Sequence, residues 1–155
     1  MVDTILVPID GSAAADFGFQ QALALARPLN ARLVLLHVVD VEPMFLQGVG
    51  DLKDYRKNLR DYGEEILATA AVAAQDQGVQ VSYYLRETVE SSPASTIVAE
   101  AVRQHCGLIV MGTHGRRRLS RLALGGDAEL VLRDSTVPVM FVRAPAKTGL
   151  GTSQA

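Results

Sequence analysis

The sequence has no tryptophan and a single cysteine in 155 residues. Cys106 by itself closes no internal disulfide and builds no structural zinc site, a pattern that fits a reducing compartment. Aromatic residues are scarce, at 5%, so the core is expected to be aliphatic and rich in alanine. Neither sign of charge is in large excess: 15 Lys and Arg stand against 17 Asp and Glu, a net charge of -2. The whole molecule therefore has no generic attraction for nucleic acid or anionic lipid. Strictly apolar runs, such as Leu33 to Leu36, stay far below the roughly 18 residues that a bilayer crossing needs. The start, MVDTILVPID, carries an acid and no basic segment, and its apolar run stops at Asp10. A secretory signal is not expected, and the cytoplasm is the expected location.

What is there is the composition of one globular domain, 48% apolar and 21% charged, in a length within the roughly 100 to 200 residues of a single domain. Residues 1–144 are expected to fold together. Residues 145–155, with Pro and Gly punctuation and no apolar period, are expected to form a flexible tail. No internal repeat is present.

Thr4 to Ile9 is a short, β-branched apolar run that meets the turn signal Asp10-Gly11-Ser12 and reads as a buried strand. Ser12 then caps a helix from Ala13 to about Arg27, with Phe17, Ala22, Leu23 and Ala26 on its apolar face and Pro28 disturbing its last turn. Arg32 to Val39 is nearly continuous aliphatic sequence, as a strand covered on both faces requires. After a loop over 40–50, Leu52, Tyr55, Leu59, Tyr62, Ile66, Ala70 and Ala73 recur every three or four residues, the period of a long helix that Gly78 ends. Val79 to Arg86 alternates and is placed nearer the sheet edge. Ser92-Pro93 opens a third helix reaching Gln104, with Ile97, Val98, Ala101 and Val102 apolar. Leu108 to Met111 is a fourth strand, Asp127 to Arg133 a short helix, and Val137 to Val142 a fifth strand in which Pro138 favours an edge. Together these predict an α/β fold: a doubly wound five-stranded parallel sheet, strand order 3-2-1-4-5, with helices on both faces.

In such a sheet a ligand sits beyond the carboxyl ends of the strands where the winding reverses, here between strands 1 and 4. The end of strand 4 begins the run Gly112 to Gly126, which holds Gly112, Gly115, Gly125 and Gly126 together with Arg116, Arg117, Arg118 and Arg121. This stretch carries +4 while the rest of the chain carries -6. Glycines at a strand-to-helix junction let the backbone turn tightly and approach an anion, and helix-start N–H groups point at negative charge. Main-chain amides near Gly112, Gly115 and Gly125 are therefore expected to form a phosphate cradle facing Asp10. Asp10, at the end of strand 1, suits ribose hydroxyls or a Mg²⁺ held on the phosphates. Lone histidines such as His37 and His114 are more often satisfied core or loop residues, and no His, Cys or carboxylate spacing matches a metal site. The sequence lacks G-x-x-x-x-G-K-[ST], lacks G-x-G-x-x-G after strand 1 and lacks G-x-S-x-G, so the mechanisms tied to those motifs are absent. Cys106 is expected to be buried.

The run GTHGRRRLSRLALGG from Gly112 to Gly126, with ILVPIDGS near the start and VPVMFVR near the end, resembles the universal stress protein A family over nearly all of Met1 to Arg143. Gly112, Gly115 and Gly125 keep the spacing of that family's nucleotide loop, G-2x-G-9x-G-[ST], while its final Ser or Thr is Gly126 here. The resemblance implies that Pro8, Ile9 and Asp10 line an adenosine pocket, that the backbone at Val38 meets the adenine edge, and that Met111 and Gly112 flank the ribose. His114, Gly115, Arg116, Gly125, Gly126 and Asp127 complete the nucleotide-binding set. It implies ATP or AMP as ligand, Mg²⁺ through Asp10, and a homodimer paired through strand 5 at Val139, Met140, Phe141 and Val142. The expected function is an adenine-nucleotide sensor or regulatory protein of the stress response. Two alternatives stand beside it: slow ATP hydrolysis or autophosphorylation through Ser120 or Thr113, and an adaptor that binds no nucleotide.

Overall fold

The computed structural model describes residues 1–41, 52–89, 91–113 and 124–145. The strands are β1 (Thr4–Pro8), β2 (Arg32–Asp40), β3 (Val81–Thr88), β4 (Leu108–Gly112) and β5 (Val139–Val142). Between them run α1 (Ala13–Leu29), α2 (Leu52–Asp76), α3 (Pro93–Arg103) and α4 (Gly126–Asp134). All four strand pairings are parallel and the order is β3-β2-β1-β4-β5, as the sequence predicts. Side chains alternate across the sheet. Ile5, Val7, Leu33 and Leu35 pack with Phe19, Leu23 and Leu67 of α1 and α2, whereas Leu6, Val34, Leu36 and Ile109 pack with Ile97, Ala101 and Val131 of α3 and α4. Two covered faces explain why β2 reads as unbroken aliphatic sequence.

Local chemistry sets the helix ends. Ser12 Oγ accepts from Ala15 N–H at 3.1 Å, and Ser92 Oγ accepts from Ser95 N–H at 3.2 Å. α1 runs two residues past Arg27 with Pro28 inside its last turn, and Asn30, left-handed at φ 52°, ends it. α2 ends before Gly78, which takes φ 76° as expected.

Several predicted faces turn. Phe17 is 36% exposed, and Phe19 is buried in its stead. Phe19 stands three, four and seven residues before Ala22, Leu23 and Ala26, the helical spacing of one stripe, and Phe17 lies off it. In α2 the buried stripe is Gly63, Leu67, Ala71 and Ala74, one residue round from the predicted one, while Leu52 and Tyr55 are exposed. Gly63 is the cause: a methyl group there would overlap the His37 ring and Leu85, so only the glycine side of α2 can approach the sheet closely. β3 starts two residues later than predicted, at Val81, and β5 starts at Val139. Pro138 thus lies outside the strand, where its carbonyl still accepts from Ile109 N–H at 2.9 Å. Both β3 and β5 are edges, as predicted. Among the described residues no helix is long and apolar enough to cross a membrane. The segments 42–51 and 146–155, holding most of the predicted loop and tail, lie outside the described residues.

Candidate functional site

α1 and α2 cover one face and α3 and α4 the other, so the chain leaves β1 towards one face and β4 towards the opposite one. A crevice at the carboxyl ends of β1 and β4 follows from that divergence. β1 pairs β4 with Ile5 opposite Leu108 and Leu6 opposite Ile109. Continuing this register sets Ile9 level with Gly112.

On the β1 side, Ile9 N–H donates to the Leu36 carbonyl at 2.8 Å. His37, which the sequence reading took for a satisfied core histidine, is 8% exposed, and its Nδ1 lies 2.6 Å from the Ile9 carbonyl. A carbonyl only accepts, so Nδ1 carries the proton. Gly11 turns at φ 80°, and Asp10 Oδ1 accepts from Ser12 N–H at 2.8 Å. Asp10 and Ser12 together supply acceptors at the start of α1, so this helix start carries its own negative group. A ligand phosphate is better placed elsewhere.

On the β4 side, Met111 is buried and Gly112 lies against α1. A Cβ on Gly112 would come within 2.5 Å of the Ala14 carbonyl oxygen, and one on Gly18 within 3.2 Å of Gly112 N. The bare backbone of Gly112 is thus already required by the close packing of α1, apart from any ligand. Thr113 N–H donates to the Val142 carbonyl at 3.1 Å, and the Thr113 carbonyl accepts from Gly125 N–H at 2.6 Å. That second bond ties the two described ends of the glycine and arginine loop together and occupies the Gly125 amide. The rest of the expected cradle, at Gly115, lies outside the described residues.

Gly125 caps α4 with no side chain, in contrast to Ser12 and Ser92. Gly126 is exposed and a Cβ there would meet nothing within 4 Å. Asp127 and Glu129 stand in the first turn of α4. They suit the positive end of that helix but repel a highly charged polyphosphate. His114, Gly115, Arg116, Ser120 and the remaining loop arginines lie outside the described residues. Thr113 is 5% exposed, which leaves its hydroxyl little access to an incoming phosphoryl group.

Among the described residues no three His, Cys, Asp or Glu side chains gather as a metal site. Cys106 is buried as expected, and burial pushes its thiol up to about 11, so it stays protonated and unreactive at neutral pH. An open groove at Arg32, Gln75, Gly78 and Ser82 lies at the opposite, amino-terminal end of β3, away from this crevice. The sequence reading missed Gly18, whose signal is a glycine inside an otherwise apolar helix. It also missed the main chain of Thr113, which carries no sequence signal.

The universal stress protein family profile matches residues 1–143. The chain belongs to the universal stress protein family. A relative, a universal stress protein of Methanocaldococcus jannaschii, is 33% identical over 144 residues, which is 92% of this chain and 83% of the relative. The solved structure of protein MJ0577 shares the fold at TM-score 0.84 with 24% identity, over 94% of this chain and 99% of that one. A universal stress protein from Archaeoglobus fulgidus, solved in complex with dAMP, shares the fold at TM-score 0.66 and 20% identity, over 91% of this chain and 97% of that one. Another universal stress protein, solved with cAMP, does so at TM-score 0.67 and 22% identity, over 92% and 97%.

Proposed function

We propose that this universal stress protein is a cytoplasmic regulatory protein that binds an adenine nucleotide in the crevice between β1 and β4 and pairs as a homodimer through β5. The reading rests on the parallel β1–β4 pairing, which sets the ends of the two strands side by side, and on Gly125, held to the Thr113 carbonyl just past β4, opening α4 without a side-chain cap. The dAMP and cAMP complexes of fold neighbours support it. Pro8, Ile9, Asp10 and Val38 take the nucleoside. Gly112, Gly126 and the loop residues His114, Gly115 and Arg116 take the phosphate, with Asp10 available for Mg²⁺. The Gly125 amide is occupied and Asp127 and Glu129 add negative charge, so AMP suits the site better than ATP. β5 is an edge strand whose Val139, Met140, Phe141 and Val142 are all part-buried, and pairing with a second copy would shield it.

Calorimetric titration with AMP, ADP and ATP, with and without Mg²⁺, tests ligand, metal and stoichiometry together. Asp10→Ala is expected to weaken AMP binding by about tenfold or more, the worth of one hydrogen bond from a charged group. Unchanged affinity would place the ligand elsewhere. Gly126→Ser restores a hydroxyl in open space, and its expected result is AMP binding several-fold tighter, by about one ordinary hydrogen bond, with folding unaltered. The adaptor reading is favoured by the occupied Gly125 amide, and it requires that denatured protein release no nucleotide and that none of the titrations give heat.

A further inference from the structure

The regular β1–β2 ladder ends with the Ile9 N–H on the Leu36 carbonyl, and a side chain bonds the carbonyl that would come next. Alternate residues of β2 direct their main-chain groups to opposite neighbours. Leu36 accepts from Ile9 N–H on the β1 side, whereas Leu33 and Val41 donate to Gln80 and Thr88 on the β3 side. Val38, two residues beyond Leu36, therefore faces β1. A regular ladder would next join Val38 N–H to the Ile9 carbonyl and Gly11 N–H to the Val38 carbonyl. Among the described residues neither bond forms. The Ile9 carbonyl accepts from His37 Nδ1–H at 2.6 Å instead, and Gly11 turns the chain away into α1. Among the described residues Val38 thus has a main-chain donor and acceptor side by side at the end of β1 with no ladder partner.

The ring that does this is clamped. It is buried beneath α2, where Gly63 and Leu85 crowd it and Tyr62 meets it edge-on at 6.4 Å between centroids.

We propose that His37 is a positioning residue that keeps Val38 open for a purine edge by holding the Ile9 carbonyl. Adenine offers a donor at N6 beside an acceptor at N1, which matches the Val38 carbonyl and N–H. Hypoxanthine offers the reverse order, an acceptor at position 6 and a donor at N1. The proposal rests on the nucleotide reading of the crevice and deepens it: His37 sets the preference for adenine without touching the base.

Two measurements test it. In the ligand-free wild type, amide hydrogen exchange by NMR should show Val38 exchanging faster than its ladder neighbour Leu36. Titrations should show AMP preferred over inosine monophosphate by about tenfold. In His37→Leu, which removes the donor, this ratio should fall towards one while ribose 5-phosphate binds as before. His37→Asn, whose amide N–H replaces the ring Nδ1–H, should restore the ratio. A merely structural role would weaken all three ligands alike. Equal weakening, an unchanged AMP preference in His37→Leu, or a Val38 amide as protected as Leu36 in the wild type overturns the assignment. The exchange measurement needs no variant and decides the matter even where His37→Leu fails to fold. Absence of any nucleotide binding by the wild type overturns the nucleotide reading and the role of His37 in it together. AMP binding with an unaltered ratio overturns the role of His37 alone.

Discussion

Replacing Arg86 by leucine is expected to destabilise the fold by about 3 kcal/mol, because it takes two charge-assisted hydrogen bonds from a carboxylate that has no route to water, leaving it only Arg103 and Gln104. Glu100 of α3 is 0% exposed. Arg86 of β3 grips it with both Nε and Nη2 at 3.0 Å, Gln104 donates at 2.9 Å, and Arg103 closes from the next turn of the helix. The Arg86 guanidinium also lies 5.1 Å from the centre of the Tyr84 ring. The two sides of the pair are not equivalent. Arg86 and Arg103 keep 35% and 59% of their side chains exposed, so Glu100→Gln leaves cations that can turn to solvent, and about 1 kcal/mol is expected for it. The double variant Arg86→Leu, Glu100→Leu should recover most of the loss, since apolar replacement of both partners is often neutral. Urea unfolding of the three variants measures this, and a larger loss for Glu100→Gln than for Arg86→Leu would contradict the asymmetry.

The same carboxylate gives stability a pH dependence. Burial pushes the Glu100 carboxyl up, but the Arg86 and Gln104 hydrogen bonds and the charges of Arg86 and Arg103 prevail and hold it below the usual range. A lowered folded value means that the stabilisation is complete above the unfolded value of about 4.3 and is lost as pH falls through the folded one. The advantage of the wild type over Glu100→Gln should therefore be full at neutral pH and shrink on acidification below about pH 4. Glu87, lowered chiefly by its hydrogen bond from Arg56 and further by Arg60, adds to the same acid sensitivity.

Gly112→Val is expected to cost about 3 kcal/mol, the upper end of what forcing extra carbons into a packed contact costs. The atoms a Cβ would strike at Gly112 include the Ala14 carbonyl carbon and oxygen. Backbone has no rotamer to escape into, so α1 as a whole must shift off the end of β4. Gly18→Ala faces the same contact from the other side at 3.2 Å, and a smaller loss is expected there. Gly126→Ala is the control. Nothing lies within 4 Å of its added carbon, so it should leave stability unchanged or slightly raised. Thermal unfolding of the set should rank Gly112→Val as the most damaging, and equal midpoints for Gly112→Val and Gly126→Ala would mean that α1 does not sit against β4 as described. Because Gly112 also borders the crevice, a shift of α1 would carry Asp10 with it and weaken nucleotide binding.

Much of this architecture is legible in the sequence, for local reasons. A nearly continuous aliphatic run such as Arg32 to Val39 fits a strand covered on both sides. Ser12, Ser92-Pro93 and Gly78 mark helix boundaries because capping geometry involves neighbours in sequence. The crevice, too, follows from the order of the elements, and with it the nearness of Asp10 to Gly112. The helix faces were harder to place. Periodicity says that α2 has an apolar side, yet Gly63 outweighed Tyr62 and Ile66 in choosing which side meets the sheet, because a missing side chain carries no hydrophobic signal. Phe17 and Phe19 are equally apolar, and only the packed stripe distinguishes them.

The sequence by itself determined the class of fold, the strand order and the family, since all of these depend on local pattern and connectivity. Only the tertiary structure decided that Gly112 is bare because Ala14 presses on it, that the Gly125 amide is spent on Thr113, and that His37 takes the carbonyl which Val38 would otherwise bond. Each is a contact between residues brought together by the sheet, and the partners in such a contact are far apart in the sequence.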